Sequence, residues 1–160
     1  MKKLCLLAVI LIPVASANSD NAAPAGFHSW SESALKSMTR TLATKAASDP
    51  HHLATLQLAD YPNDTFLLAH READGAPELH ETQVDAIFVL SGSATLIVGG
   101  TLANAETIAP HEKRNGTIEG GARQKLSAGD VVRIPPNTPH QLLLDGGREF
   151  TYVVVKVKGY

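Results

Sequence analysis

The stretch Gly129-Asp130-Val131-Val132-Arg133-Ile134-Pro135-Pro136-Asn137-Thr138-Pro139-His140 decides how the rest of this chain is read. Gly129-Asp130 opens a tight turn, and Val131 to Ile134 is a short β-branched run. Pro135-Pro136-Asn137-Thr138-Pro139 forbids both a helix and the interior of a sheet, because the prolines lack an N–H and fix φ. His140 then re-enters an apolar strand, Gln141 to Leu144. A strand, a proline-locked turn and a histidine at a strand start together aim one imidazole.

Upstream, Glu78-Leu79-His80-Glu81-Thr82-Gln83-Val84-Asp85 leads into an apolar run that ends at Gly92. On an extended strand, positions 78 and 80 project to the same face, so Glu78 and His80 converge. Asp85 begins the next strand beyond a turn and can face back toward them. With His140 this makes two imidazoles and two carboxylates, a donor set suited to Fe(II), Mn(II), Ni(II) or Zn(II). Gln83 replaces Asp85 if the turn is one register different, but the seven-residue step to Gly92 favours Asp85.

Around these stretches the text is short strands with turn punctuation. Strands are expected over His52 to Ala59, Thr65 to Arg71, Ala105 to Ile108, Gly116 to Ile118, Gln124 to Leu126 and Glu149 to Val157. Asp85 to Leu90 and Ala94 to Val98 read as a hairpin joined across Ser91-Gly92-Ser93. Many short strands without intervening helices argue an all-β sandwich or barrel. One helix precedes them, over about Ser31 to Ala47, with Ala34, Leu35, Met38, Leu42 and Ala46 at helical spacing. Ser29 and Glu32 have capping-box spacing, and Ser48-Asp49-Pro50 ends the helix.

The chain has 160 residues, enough for one domain with its own core. Residues 1–17 read as a secretory signal peptide: Lys2-Lys3, an apolar run from Leu4 to Val14, then Ala15-Ser16-Ala17. The run is shorter than the ~20 apolar residues a membrane span needs, and Pro13 interrupts it. Export to the periplasm or the medium is therefore expected, with no membrane attachment after cleavage. The division is then 1–17 signal peptide, 18–50 an extension carrying the helix, and 51–160 a β-domain. Cys5, the only cysteine, leaves with the signal, so neither disulfides nor thiol catalysis are open to the mature protein. Of the 14 Lys and Arg, Lys2 and Lys3 leave too, so 12 stand against 16 acids, a net charge of −4. No basic block interleaved with aromatics occurs, which argues against nucleic acid as a partner.

Both informative stretches resemble the two motifs of the cupin superfamily. The second is close: Gly129, five residues, Pro135, one residue, Asn137 where the family usually has Gly, two residues, His140. The first is looser. The family reads His-x-His, three or four residues, Glu, six residues, Gly; this chain has Glu78-x-His80, four residues, Asp85, six residues, Gly92. The likeness spans roughly residues 65–157. It implies a cupin-type β-barrel, jelly-roll-like, with two sheets face to face. It also implies a mononuclear divalent metal (Fe, Mn, Ni or Zn) held by Glu78, His80, Asp85 and His140 in the barrel mouth. Glu78 stands where a histidine belongs and Asp85 replaces a longer Glu, a more anionic set that favours harder ions.

The resemblance implies a small-molecule substrate and dioxygenase, isomerase or lyase chemistry. The alternative is a non-catalytic module holding a small ligand or a metal. A purely structural role would leave Glu78, His80 and His140 as buried polar groups without a task. Family members pair through sheet edges, and Val153 to Val157 reads as a strand that needs a partner, so a homodimer is an expectation. His70 shares its strand face with Phe66 and Leu68 and is expected as a hydrogen-bonded wall histidine inside the barrel, with Arg71 on the opposite face. Adjacent His51 and His52 point apart on an extended chain, which discounts them as a metal pair. His111-Glu112-Lys113-Arg114 reads as a solvated loop tip. Tyr152 and Arg133 are candidate pocket contacts, though Tyr and Arg on strands are usually structural.

Overall fold

The computed structural model describes residues 22–144 and 146–160. The signal-peptide reading of residues 1–17 lies outside them. Helix α1 (Glu32–Ala46) precedes twelve strands among the described residues. These are β1 (Leu53–Asp60), β2 (Asp64–Arg71), β3 (Glu78–His80), β4 (Gln83–Val98), β5 (Thr101–Ala103), β6 (Glu106–Ala109), β7 (Glu112–Arg114), β8 (Thr117–Glu119), β9 (Ala122–Ser127), β10 (Val131–Ile134), β11 (His140–Leu143) and β12 (Phe150–Lys158). No helix among them is long and apolar enough to cross a membrane.

Strands β5 and β8 pair as a separate ribbon, and the other ten curl into two facing sheets that share β4. Its first half pairs with β10 and β12, and β12 continues through β2 to β1. Its second half pairs with β9 and β11, and β11 continues through β3 and β7 to β6. The expected hairpin across Ser91-Gly92-Ser93 is therefore corrected: residues 83–98 form one strand that turns a barrel corner. Opposite Thr151 and Tyr152 the register skips Leu90, a bulge, and Gly92 follows at φ +77°. Only glycine fits there, because a Cβ would lie 2.1 Å from the Glu149 carbonyl oxygen.

Between the sheets lie Ile87, Val89, Leu96, Leu126, Ile134, Leu142, Phe150, Tyr152 and Val154. A second cluster sits outside, where Leu42 and Ala46 of α1 pack on Ala54 and Leu68. This fixes the two faces of β2 and reverses one expectation. Leu67, Ala69 and Arg71 line the barrel cavity, while Leu68 and His70 face away from it. His70 is fully buried there, its Nδ1 2.8 Å from the Thr151 hydroxyl. Ser31 rather than Ser29 caps α1, its Oγ accepting from the Ala34 N–H. β12 is no open edge either, since β2 and β4 flank it along its length.

Candidate metal centre

Two cross-strand rows build the site, one from each sheet. On β11, β3 and β7, His140, Glu78 and Arg114 are register partners in that order, and His80 stands opposite Glu112. On β12, β4 and β10 the corresponding row is Lys156, Asp85 and Ile134. Register partners carry their side chains on the same face. Glu78, His80, Asp85 and His140 therefore meet in the barrel, with one donor atom from each within 4.8 Å of all the others.

The proline turn aims His140 as the sequence indicates. Asn137 holds φ +56°, the left-handed conformation glycine takes without strain, and its N–H donates to the His80 carbonyl at 2.8 Å. The turn is thus tied directly to β3. His140 Nδ1 donates to the Thr138 carbonyl at 3.0 Å, which leaves Nε2 with a bare lone pair. That Nε2 is buried without a hydrogen-bond partner among the described residues, 3.4 Å from Glu78 Oε1 and 3.8 Å from Asp85 Oδ2. His80 is set up alike: its Nδ1 donates to Glu112 Oε2, and its Nε2 lies 3.4 Å from Asp85 Oδ2 and 3.8 Å from Glu78 Oε2. Lone pairs and carboxylate oxygens aimed at one another repel unless a cation lies between them, and on the His80 side the Lys156 ammonium is that cation.

The donor set fits a divalent ion. Tetrahedral bonds of about 2.0–2.1 Å place donors roughly 3.3 Å apart; the four imidazole–carboxylate distances here are 3.4–3.8 Å, and one donor from each residue lies within 4.8 Å of the rest. The Glu112–His80 hydrogen bond is the carboxylate–imidazole pairing that fixes the tautomer of a metal-binding histidine. Glu112 belongs to β7 rather than to the expected solvated loop, and only the β3–β7 register reveals it. Lys156, which the sequence reading does not single out, puts Nζ 2.9 Å from both Asp85 oxygens and from His80 Nε2.

The titrations follow this crowding. Burial would raise the Glu78 carboxyl, but His140 beside it and the charges of Lys156 and Arg114 hold it far below the carboxylate range. Asp85 is likewise lowered: burial opposes, and His80 and Lys156 prevail. His80 is raised; burial and the Lys156 charge oppose, but Asp85 and Glu78 prevail. Burial also pushes the Tyr152 phenol up, with Arg71 pulling the other way.

An inner cavity of about 90 Å³ touches Glu78, Asp85, His140 and Lys156, with Tyr152 and Arg71 on its wall. It adjoins an outer cavity of about 480 Å³ that shares Leu53, Arg71, Glu78 and Arg114 with it. Tyr152 thus lines the pocket as expected, whereas Arg133 is exposed and stacks over the Tyr160 ring instead. Gln83 starts β4 opposite Lys158, outside the ligand cluster. His51 and His52 are exposed on the rim of the outer cavity.

The architecture is the cupin-type β-barrel with an N-terminal helix. No protein-family model and no curated protein sequence matches the chain. Solved structures do. TT1209 of Thermus thermophilus aligns with TM-score 0.51 and 14% identity, over 69% of this chain and 87% of that one. The cupin domain of Schizosaccharomyces pombe Cnp3 aligns with TM-score 0.51 and 9% identity, over 66% and 64%. A Tyr-to-Phe variant of Streptomyces Pac13 with uridine aligns with TM-score 0.50 and 13% identity, over 70% and 74%. At such identities the likeness is one of fold.

Proposed function

We propose that this chain is an exported cupin-fold protein that holds one divalent metal through Glu78, His80, Asp85 and His140 and presents it to a small molecule. The observation that carries the reading is the convergence of two outward-blocked imidazoles on two buried carboxylates, with the Nε2 of His140 unpartnered among the described residues and that of His80 met by the Lys156 ammonium. A metal bound there supplies a Lewis acid or a redox centre. The chain's own contributions are positional. Glu112 and the Thr138 carbonyl orient the imidazoles, the barrel wall excludes water, and Tyr152 and Lys156 offer protons beside the four donors. Pac13 is a nucleoside dehydratase, which supports a small organic molecule as the class of ligand. Dioxygenase, isomerase and lyase chemistry all suit such a centre. Export rests on Lys2-Lys3, the apolar run and Ala15-Ser16-Ala17. Pairing into a homodimer is supported by β10, a sheet edge with Val131 exposed.

The second reading is a non-catalytic binding module, and Lys156 favours it, because an ammonium within 2.9 Å of Asp85 and His80 already neutralises part of the site. Metal content measured on tag-free mature protein, with His80→Ala and His140→Ala in parallel, tests the metal. Near-stoichiometric metal in the parent, lost in both variants and on chelation, is the expected result. A well-folded parent that takes up no metal on titration would sink the metal reading.

A further inference from the structure

We propose that the outer cavity binds a small organic anion and that Arg71, assisted by Arg114, is the residue that takes its charged group. The inference rests on the reading above, since the same molecule would reach the four metal-binding residues.

Arg71 ends β2 on the inward face and lines both cavities. It is only 8% exposed, and its Nε has no hydrogen-bond partner among the described residues. A buried guanidinium with an N–H left unpaired is costly, and since Nε is enclosed an acceptor would meet the group on the side that lines the cavities. Its setting is also rigid. A Cβ on Gly75 would lie 3.0 Å from Nη1 and 3.1 Å from Cζ, so the loop at Gly75 is moulded to the guanidinium. That loop is pinned: the Gly75 N–H donates to the Leu142 carbonyl, Gln141 Nε2 donates to the Gly75 carbonyl, and the Leu144 N–H donates to Asp74 Oδ1, each at 2.7 Å. Arg114 stands across the opening, half-exposed, with Nη2 3.2 Å from Glu78.

Charge points the same way. Around the two cavities Asp74, Glu78, Asp85 and Glu112 are set against Arg71, Arg114 and Lys156. A divalent ion added to that balance leaves an excess of positive charge, which an anionic ligand offsets. A guanidinium fork matches a carboxylate or a phosphate, in bidentate fashion.

Calorimetric titration of the manganese-loaded mature chain with malonate, malonamide and inorganic phosphate tests this. Malonate is expected to bind and malonamide to be rejected. Arg71→Gln is expected to weaken malonate by about tenfold or more, with Arg71→Lys recovering part of the loss because an ammonium lacks the fork. Arg114→Gln, at a half-exposed position, should weaken it severalfold. Tighter phosphate than malonate makes the ligand a phosphoryl compound, and the reverse makes it a carboxylate. The proposal is overturned if neither anion binds, if malonamide binds as well as malonate, or if both glutamine variants bind as the parent does. Arginine-dependent malonate binding by protein that takes up no metal removes the metal reading and keeps the anion site. Stoichiometric metal without anion binding does the opposite.

Discussion

His80 Nε2 has one lone pair, for which a proton, the Lys156 ammonium and, under the proposed function, a divalent ion would compete. A like charge at roughly 4 Å costs about 4 kcal/mol at an effective dielectric of 20, and movement of the flexible lysine stem relieves most of it. Lys156→Gln is therefore expected to tighten divalent metal binding about tenfold, read by competition with a chromogenic chelator; unchanged or weaker affinity would show that Lys156 assists the ion instead. Glu112→Gln should act the other way, loosening the metal about 10–100-fold while the thermal melt of the metal-free protein stays close to the parent's. The spacing of Glu78, His80, Asp85 and His140 was legible in the sequence, because period 2 and a proline turn state where those side chains go. Glu112 was not, since a three-residue charged strand looks like solvated loop until its register with β3 is known. Lys156 was hidden by Val153, Val155 and Val157, which make both faces of β12 apolar and erase the alternation that would place residue 156 inside. The same difficulty inverted His70 and Arg71: Phe66, Leu67, Leu68 and Ala69 leave both faces of β2 apolar, and the packing of α1 decides between them.

Among the elements, β4 departs most from its sequence reading. Ser91-Gly92-Ser93 has the composition of a hairpin turn, yet its glycine serves a bulge inside one strand that both sheets share. A turn and a corner ask for the same left-handed residue, so composition alone does not separate them. Gly92→Ala is expected to destabilise the fold by about 3 kcal/mol, from positive φ and the clash with Glu149 together, seen as a lower denaturant midpoint. A loss under about 0.5 kcal/mol, the range of ordinary surface changes, would mean that the corner is pliable. The proline turn, by contrast, was read correctly at the element level, because prolines leave few conformations open and Asn137 supplies the left-handed one.

For the molecule as a whole, the site makes stability depend on pH. Glu78 and Asp85 titrate lower folded than unfolded, so their contribution is full above the ordinary values of 4.5 and 3.8 and is lost as pH falls. His80 titrates higher folded, so its contribution is full below 6.5 and is lost as pH rises through the raised value. Chelated protein should melt at its highest temperature between pH 4.5 and 6.5, and metal should extend that plateau upward by replacing the proton on His80. A melting maximum well above neutrality without metal would contradict these shifts. The barrel itself was legible from strand count and two spaced motifs, whereas its inner wall depended on registers that no local pattern states. One consequence follows from β4 running unbroken through both sheets. The walls cannot part on that side, and the larger cavity, lined by His51, His52, Ala73, Asp74 and Asn115, joins the smaller one at Leu53, Arg71, Glu78 and Arg114. Glu78 borders both cavities, so under the proposed function a molecule seated in the larger one would lie against a carboxylate that also holds the ion, and filling either place would be felt at the other.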